Sequence, residues 1–476
     1  MVPMRDGVRL STDVYHPVGA EARRSVVLIR TPYDKRRYRR LHPDSSEATF
    51  FASQGFVVVV QDTRGRFESE GEFTISARDV EDGYDAIDWA SKQPWSNGKV
   101  GGYGCSYVGD TQVMAAKARH PAYAAMIPQS AASSFPERGF LHSMGGAIDL
   151  SISLSWFASS GSKLRYLPPP GTPREVVARY GEYFSILPTL PPFDMTKRVW
   201  DLPLIDILKR ANVPPTDWEN VLTHGPGDPW WVALGYFTDK DRFDTPALQV
   251  ESWFDTGVAV SLNQMNYLRD HSVTGRGRDN QFMIVSPTLH CQSEEATAQT
   301  IVGERNMGDP RRDFWRLYLN WFDHWLGGVE NQVTKMPKLQ YYLMGKNEWR
   351  SADAWPIPGT RFTRYYLHSG GRANSRFGDG VLSTKPPGAE PPDRYVYDPA
   401  SPVPSRGLAC CMGIARGALD QSQLETRSDV LVYTTEPLTE GLEVTGPITL
   451  ELYVESSAKD TDFTGKLVDV LPSGTA

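Results

Sequence analysis

Short, continuous runs of apolar residues recur in the first third of the chain and again near its middle. Arg24 to Arg30 reads Arg-Ser-Val-Val-Leu-Ile-Arg, and Phe56 to Val60 reads Phe-Val-Val-Val-Val. Further short strand-like runs follow at Lys99 to Tyr103, Ala247 to Val250 and Phe282 to Val285. Apolar runs bounded by turn residues are typical of strands that are buried on both faces of a parallel sheet.

Helical spacing separates these runs. Val80, Tyr84 and Ile87 recur at helical intervals between Asp79 and Lys92, and Ala115 to Ala118 marks a second helix. Strand and helix therefore alternate. This alternation predicts an α/β fold, a doubly wound sheet with helices on both faces.

A third helix is predicted from its end signals and an aromatic stripe. Asp309 suits the N-cap, Pro310 suits the first helical position, and Gly327-Gly328 follows the helix. We interpret the stripe as core packing rather than a binding surface; its members are Phe314, Leu317, Tyr318, Trp321 and Trp325.

Two segments depart from the α/β pattern. From about Ser134 to Asp244 scattered helices, aromatic residues and Pro-rich turns predict an insertion. Beyond about Met336, short alternating runs predict an all-β sandwich or jelly roll; they are Leu339 to Leu343, Phe362 to Leu367, Val430 to Tyr433 and Ile448 to Val454. A final strand, Lys466 to Val470, has no obvious partner after it, so we expect this domain to be truncated.

Composition and charge narrow the class of protein. The chain has 476 residues and a net charge of −7, and a mildly acidic, well-mixed chain argues against a nucleic-acid partner. The one dense basic run, Lys35 to Arg37 with Arg39 and Arg40, is expected on a solvated loop. No transmembrane run or signal-peptide h-region is visible, so we expect a cytoplasmic protein without a membrane partner.

The four cysteines are Cys105, Cys291, Cys410 and Cys411. They are too few for a disulfide framework, and none has the paired spacing of a zinc site. We expect free thiols in a reducing compartment and no metal or cofactor; a redox role for the adjacent pair Cys410-Cys411 stays open.

The segment from Gly104 to Gly109 reads Gly-Cys-Ser-Tyr-Val-Gly and lies between a predicted strand and a predicted helix. A serine on such a turn is lifted above the sheet edge, as in the nucleophile elbow Gly-x-Ser-x-Gly. Here Val108 stands where that pattern has glycine, and Gly109 follows one residue later. Taken alone, the segment fits an ordinary loop as well as a catalytic Ser106.

A nucleophilic serine needs a base and an acid that orients the base. Asp255 follows one later strand and His290 follows the next, in the order Ser, Asp, His. Separately, Asp255 could be a turn residue and His290 a surface histidine, but agreement of three positions in order predicts a Ser106–His290–Asp255 triad.

The loop after the first strand reads Thr31-Pro32-Tyr33-Asp34. Acyl transfer needs hydrogen-bond donors for the oxyanion, commonly backbone N–H groups of a Gly-rich loop. This loop has no glycine, and Pro32 has no N–H. The hydroxyl of Tyr33 is therefore the expected donor; the alternative is a tyrosine that only packs on its neighbours.

Several motifs together resemble the cocaine esterase/NonD hydrolase family, which is related to X-Pro dipeptidyl-peptidases and α-amino acid ester hydrolases. The similarity covers nearly the whole chain. Its motifs are Thr31-Pro32-Tyr33, Asp62-Thr63-Arg64-Gly65, Ser69-Glu70-Gly71, Trp95 to Gly101, Gly104-x-Ser106-Tyr107-x-Gly109, Met344-Gly345-x-Asn347-x-Trp349-Arg350, Asp429 to Tyr433 and Asp460 to Thr464.

The resemblance implies an α/β-hydrolase fold whose nucleophile is Ser106, base His290 and orienting acid Asp255. It also implies an oxyanion hole formed by the Tyr33 hydroxyl and the backbone N–H of Tyr107. The insertion becomes a helical cap. The expected domains are residues 1–133 and 245–335 for catalysis, 134–244 for the cap, and 336–476 for the jelly roll.

The expected substrate is a small-molecule ester. Thr256 to Val260, directly after Asp255, contains no acid that could hold a substrate ammonium group. Acids in the insertion keep an amide or peptide substrate open, as for an acylase, an X-Pro dipeptidyl-peptidase or an α-amino acid ester hydrolase; they are Asp149, Asp194 and Asp228.

Aromatic residues of the insertion could line an apolar acyl pocket or form the core of the insertion; they are Trp156, Phe157, Trp230, Trp231, Tyr236 and Phe237. The remote alternative is a non-catalytic binding protein with a vestigial hydrolase domain. Assembly into a homo-oligomer stays open.

Overall fold

The structure is a computed structural model. It describes residues 1–19, 22–40, 46–132, 134–135, 147–163, 171–175, 177, 194–407 and 416–476. Within these residues, none of the helices has the length and apolar character that a membrane crossing requires.

Fifteen strands occur in the described residues. Most of the long ones coincide with the apolar runs of the sequence. In chain order they are β1 (Val2–Pro3), β2 (Arg9–Leu10), β3 (Thr12–Tyr15), β4 (Arg24–Thr31), β5 (Val57–Asp62), β6 (Ser96–Cys105), β7 (Tyr123–Gln129), β8 (Ala247–Phe254), β9 (Gln281–Leu289), β10 (Ile301–Val302), β11 (Arg305–Asn306), β12 (Leu339–Leu343), β13 (Glu348–Ala352), β14 (Tyr366–His368) and β15 (Val381–Ser383).

Nine of these strands form one sheet in the order β13-β12-β9-β8-β7-β6-β4-β5-β3. The seven strands in the middle are parallel, and β3 and β13 pair antiparallel at the two edges. Every residue of β5 and β7 is buried. The continuous apolar runs therefore occur where the predicted parallel sheet is covered on both faces.

The described helices lie between the strands and in the segment between β7 and β8. They are α1 (Arg37–Arg40), α2 (Glu47–Ser53), α3 (Asp79–Ser91), α4 (Tyr107–Lys117), α5 (Leu150–Ser159), α6 (Met195–Arg198), α7 (Ile207–Arg210), α8 (Trp218–Thr223), α9 (Pro229–Ala233), α10 (Val258–Asp270), α11 (Gly275–Arg278) and α12 (Phe314–Trp325). The two helices predicted after β5 and β6 are α3 and α4.

Two apolar layers cover the sheet. On one face, Ile87 of α3 and Val113 of α4 pack in a cluster that also contains Trp156 and Trp218 of the insertion. The cluster on the other face is formed by α2 and by the aromatic stripe of α12. The insertion thus shares its core with the sheet.

The aromatic helix α12 begins later than predicted. Its N-cap is Asp313, whose side chain accepts a hydrogen bond from the Arg316 amide at 2.9 Å. Asp309 instead pairs with Arg311 at 2.6 Å and accepts its amide hydrogen bond, a local turn that delays the helix. The prediction of core packing is confirmed for Tyr318 and Trp321, which are buried.

The run Leu339 to Leu343 does not open the C-terminal β domain, and this part of the prediction is wrong. As β12 it pairs in parallel with β9 of the central sheet, with Leu339 beside Met283 and Tyr341 beside Val285. Its alternating pattern correctly indicates a strand. Such a pattern does not specify the neighbouring strand, which lies far away in sequence.

The region after β13 is separate and contains fewer strand ladders than predicted. β14 and β15 pair with each other, and single bridges join Asn374 to Leu431 and Val381 to Thr434. Residues 448–454 and 466–470, which were predicted to be strands, form no ladder in this part of the chain. An alternating pattern becomes a strand only where a neighbour completes its hydrogen bonds, so a jelly roll remains a prediction.

Two cysteines that were expected to be free form a disulfide. Cys105 and Cys291 are joined across 186 positions of sequence. The prediction failed because it used sequence spacing, whereas Cys105 ends β6 and Cys291 lies just after β9, at the same edge of the sheet. Cys410 and Cys411 lie outside the described residues.

The basic run at residues 35–40 was predicted to lie on a solvated loop, but it is not uniformly solvated. The side chain of Lys35 is 2% exposed, and its ammonium group donates to Glu68 at 2.6 Å. The same group lies 3.9 Å from Asp62. A buried lysine of this kind is stabilised by acidic residues distant in sequence, which the local charge pattern does not reveal.

We expect Trp321→Ala to destabilise strongly the part of the chain that contains the nine-stranded sheet. Trp321 is fully buried against the sheet, and such truncations remove about 3–5 kcal/mol from the free energy of unfolding. The matched control is Trp200→Ala, whose side chain is exposed and which should change this free energy by no more than about 0.5 kcal/mol. Chemical denaturation followed by circular dichroism measures both. Equal effects of the two substitutions would contradict this packing.

Candidate active site

The three residues predicted to form a triad all lie at the carboxyl edge of the parallel sheet. Ser106 follows β6 directly, Asp255 follows β8, and His290 follows β9. Ser106 and Asp255 line one pocket together with Tyr33 and Trp156. The carboxyl edge is where open α/β sheets place their ligand sites.

The turn at Ser106 has an unusual backbone. Ser106 has φ 63° and ψ −135°, values that a residue with a side chain rarely adopts. Its amide donates to the carbonyl oxygen of Gln129 at 2.9 Å. The surrounding β7 strand thus holds the strained turn in place.

Glycine is required at both ends of this turn. A Cβ atom at Gly104 would lie 2.2 Å from Cγ1 of Val108, and one at Gly109 would lie 2.7 Å from the carbonyl oxygen of Gln129. The close approach therefore occurs at position 109. This explains why the second glycine comes one residue later than in the Gly-x-Ser-x-Gly pattern.

The hydroxyl of Tyr33 lies beside Ser106. The two hydroxyl oxygens are 3.3 Å apart, and the indole N–H of Trp156 donates to the Tyr33 oxygen at 3.2 Å. The backbone N–H of Tyr107 also interacts with this oxygen. Burial raises the pKa of the Tyr33 phenol, so it stays protonated and can donate a hydrogen bond.

Buried side chains hold these donors in place. Arg66 donates from Nε to the carbonyl oxygen of Pro32 at 3.0 Å, which fixes the loop that carries Tyr33. The Tyr107 hydroxyl donates to Asp79 at 2.9 Å. The ring of Trp156 stacks on that of Tyr107 with 5.9 Å between centroids.

His290 and Asp255 form a closely coupled pair. His290 Nδ1 lies 2.5 Å from Asp255 Oδ2, and Asp255 Oδ1 accepts the Gly257 amide hydrogen bond at 3.1 Å. Burial lowers the pKa of His290, but attraction to the Asp255 carboxylate outweighs it, so the net shift of the pKa is upward. Burial raises the pKa of Asp255, but His290 more than offsets this and the net shift is downward. A proton on Nδ1 leaves Nε2 as the basic nitrogen.

Sequence reasoning missed Glu251, a buried carboxyl group near Asp255. It accepts hydrogen bonds from Ser261 Oγ at 2.5 Å, the Ser252 amide at 2.9 Å and Ser130 Oγ at 3.2 Å. Burial and the neighbouring Asp255 charge raise the pKa of Glu251 well above its usual range. The sequence feature that could have pointed to Glu251 is the presence of an acidic residue inside the strand Ala247–Phe254.

The aromatic residues predicted to bind substrate have different environments. Trp156 lines the pocket that also contains Ser106. Phe157, Trp230 and Trp231 are not among the described residues that line this pocket. Phe157 packs on Trp218, and Trp231 is buried with its indole N–H donating to backbone oxygens, so both belong to the core of the insertion.

The acids proposed for a substrate ammonium group are also elsewhere. Asp194 pairs with Lys197, and Asp228 caps α9 through the Trp230 amide. Among the described residues that line the pocket, the carboxyl groups are those of Asp255 and Asp110. Asp110 lies one helical turn after Ser106 and was not considered from the sequence.

Two regions of the chain match known protein families. Residues 6–292 match the family described as X-Pro dipeptidyl-peptidase (S15 family). Residues 331–476 match the X-Pro dipeptidyl-peptidase C-terminal non-catalytic domain. The whole chain is 35% identical over 477 residues to the cocaine esterase of Rhodococcus sp. (strain MB1 Bresler), covering 100% of this chain and 80% of that protein.

Three further relatives are more distant. A protein of Mycobacterium bovis named as a serine esterase is 25% identical and is matched over 99% of this chain and 78% of its own length. An α-amino acid ester hydrolase structure is 26% identical with a TM-score of 0.69, covering 94% of this chain and 73% of that one. An aminopeptidase from a Thaumarchaeota archaeon, at 24% identity, has a TM-score of 0.70 over 92% of this chain and 72% of its own. The predicted α/β-hydrolase fold is confirmed.

Proposed function

This chain belongs to the S15 family of serine hydrolases, in its cocaine esterase/NonD group, and we propose that it cleaves small-molecule carboxylic esters through an acyl-enzyme on Ser106. The observation that carries the proposal is the Asp255–His290 hydrogen bond at the same sheet edge as a strained serine turn and the Tyr33 hydroxyl. Such an arrangement supports acyl transfer.

In the acylation step, Ser106 Oγ attacks the ester carbonyl carbon. His290 Nε2 accepts the serine proton, and Asp255 holds the imidazole in the required tautomer and stabilises its positive charge. The carbonyl oxygen becomes an oxyanion that receives hydrogen bonds from the Tyr33 hydroxyl and the Tyr107 backbone N–H. When the tetrahedral intermediate collapses, the C–O bond to the alcohol breaks and His290 donates its proton to the alcohol.

Deacylation repeats these roles with water. His290 Nε2 takes a proton from water as the water oxygen attacks the acyl carbon. The same two donors stabilise the second oxyanion. When the second tetrahedral intermediate collapses, the bond between the acyl carbon and Ser106 Oγ breaks and His290 donates its proton to Ser106 Oγ. The acid product leaves, and the free enzyme is restored.

An amide or peptide substrate is the second candidate. The matched family is described as a peptidase, and one structural relative is an α-amino acid ester hydrolase. Asp110 in the pocket wall provides a carboxyl group near Ser106. The absence of acids in the sequence directly after Asp255 favours neutral esters for this chain.

Other features of the prediction remain proposals. We propose that residues 134–244 cover the pocket as a cap between the parts of the catalytic domain at 1–133 and 245–335, followed by a β domain. We also propose a cytoplasmic location and no nucleic-acid partner. Assembly into a homo-oligomer stays open. Disulfides in the cytosol are commonly transient or redox-sensing. A cytoplasmic location would therefore expose Cys105–Cys291 to reductants.

Asp255→Asn should lower kcat about 10⁴-fold because the amide favours the wrong imidazole tautomer. The matched control is Glu251→Gln at the other buried carboxyl group of the same segment. The upward shift of the Glu251 pKa favours the neutral acid, which an amide resembles in charge and shape, so kcat should fall less than about tenfold. Steady-state kinetics with p-nitrophenyl acetate measures both. A larger loss for Glu251→Gln than for Asp255→Asn would refute the assignment of the acid.

Tyr33→Phe removes only the hydroxyl of the proposed oxyanion donor. We expect kcat to fall about 10²–10³-fold with little change in KM or melting temperature. Tyr38→Phe is the control, because Tyr38 is also a buried tyrosine but does not line the described pocket. If kcat of the Tyr33→Phe enzyme stays within about threefold of the wild-type value, the oxyanion donor lies elsewhere.

A hydrolysis panel tests the substrate class. We expect kcat/KM for neutral p-nitrophenyl esters to exceed that for aminoacyl amides by at least about tenfold, with amino acid esters between them. Ser106→Ala protein supplies the background rate for every substrate. Highest kcat/KM on aminoacyl amides would favour the peptidase alternative, and equal rates for Ser106→Ala and wild type would exclude Ser106 as the nucleophile.

A further inference from the structure

The disulfide lies next to both proposed proton-transfer partners. Cys105 directly precedes Ser106, and Cys291 directly follows His290. Neither sulfur takes part in the proposed hydrolysis. The bond nevertheless connects the serine turn at the end of β6 with the histidine loop after β9.

The two sulfur atoms and a ring nitrogen of His290 form a compact group of donor atoms. All three atoms lie within 4.8 Å of one another. In a tetrahedral zinc site, bonds of about 2.0–2.3 Å place neighbouring ligand atoms roughly 3.5–3.8 Å apart. Only small movements are therefore needed to bring these donors to zinc-binding distances once the sulfurs are separate thiolates.

Asp255 determines which nitrogen of the imidazole is free to bind a cation. Asp255 accepts from His290 Nδ1, so Nε2 is the nitrogen that can bind a cation. Histidines that bind zinc commonly donate their other N–H to a carboxylate in this way. Thiolate and imidazole ligands favour Zn²⁺ and similar soft cations over Mg²⁺ or Ca²⁺, which prefer oxygen ligands.

We propose that reduction of Cys105–Cys291 creates a binding site for Zn²⁺ formed by Cys105 Sγ, Cys291 Sγ and His290 Nε2, and that the bound ion blocks hydrolysis. The inhibitory consequence rests on the proposed function, because it requires His290 to be the base. The metal site itself does not depend on that function.

The proposed switch consists of reduction of the disulfide followed by binding of Zn²⁺. A dithiol reductant transfers two electrons and two protons to the disulfide, giving two cysteine thiols and the oxidised cyclic disulfide of the reductant. Zn²⁺ then displaces the two thiol protons and binds two thiolates, the lone pair of His290 Nε2 and one water. With this lone pair in the metal bond, Nε2 cannot accept the Ser106 proton.

Metal binding by the full chain tests the site directly. Oxidised protein and protein reduced by dithiothreitol, then desalted anaerobically into chelator-free buffer, are titrated with Zn²⁺ and, separately, with Co²⁺. We expect about one ion per reduced chain and thiolate-to-Co²⁺ absorption, with at least tenfold weaker binding by the oxidised chain. Equal binding by oxidised and reduced protein would overturn the proposal.

Substitutions assign the ligands. Cys105→Ser and Cys291→Ser should each weaken Zn²⁺ binding by at least about tenfold in reduced protein. The matched control is the double substitution Cys410→Ser with Cys411→Ser, which should leave binding unchanged. If the double variant loses the ion and the single variants retain it, the site lies at Cys410-Cys411 and the proposal is wrong. The comparison of oxidised with reduced wild type decides the question even if a single variant fails to fold.

Activity separates the site from the function. Zn²⁺ should reduce ester hydrolysis by reduced wild-type enzyme at least about 100-fold relative to the same enzyme with chelator, and should leave the oxidised enzyme unaffected. Ser106→Ala protein should lose hydrolysis but still bind the ion when reduced. If Ser106→Ala protein binds the ion but the wild-type enzyme hydrolyses no ester, the proposed function alone is refuted. If the wild-type enzyme hydrolyses esters but its Zn²⁺ binding does not depend on reduction, the metal site alone is refuted.

Discussion

The parallel alignment of β6, β7, β8 and β9 determines where the reactive groups of this protein can meet. Parallel strands end at one edge of the sheet, so residues that follow them converge although long segments separate them in sequence. Ser106, Asp255 and His290 each follow one of these strands. The sheet can keep this alignment because both of its faces are covered, by α3 and α4 on one side and by α2 and α12 on the other. Burial of the sheet is therefore a condition for the geometry at its edge.

Two buried carboxyl groups near this edge have opposite protonation preferences. Asp255 has a lowered pKa because the adjacent imidazole outweighs its burial. Glu251 has a raised pKa because burial and the charge of Asp255 act in the same direction. These opposite shifts favour the neutral form of Glu251 and the ionised form of Asp255 beside His290. The surrounding hydroxyls of Ser130 and Ser261 satisfy the neutral acid.

Much of this arrangement could be predicted from the sequence because it depends on local patterns. Apolar runs locate the parallel strands, and the order of Ser106, Asp255 and His290 along the chain matches the order of strand ends. The features that were missed depend on distant partners. The strand Leu339–Leu343 pairs with β9, Lys35 is buried against Glu68, and Cys105 meets Cys291 only in the folded chain. The position of Trp156 beside Tyr33, with Trp231 in the core, likewise depends on how the insertion folds and not on its composition.

The position of the disulfide follows from the same convergence that brings Ser106, Asp255 and His290 to one edge of the sheet. A residue beside a nucleophile and a residue beside its base must be close whenever the nucleophile and base are close. Two thiols at these positions would offer ligands to a cation beside the His290 ring, whose Nε2 the proposed hydrolysis needs free. One nitrogen lone pair cannot accept a proton and bind a metal at the same time. A disulfide sulfur is a much poorer metal ligand than a thiolate, so oxidation removes this competition without adding a group to the reaction path. In the proposed switch, the redox state of Cys105 and Cys291 selects between proton transfer and metal binding by the imidazole that Asp255 orients.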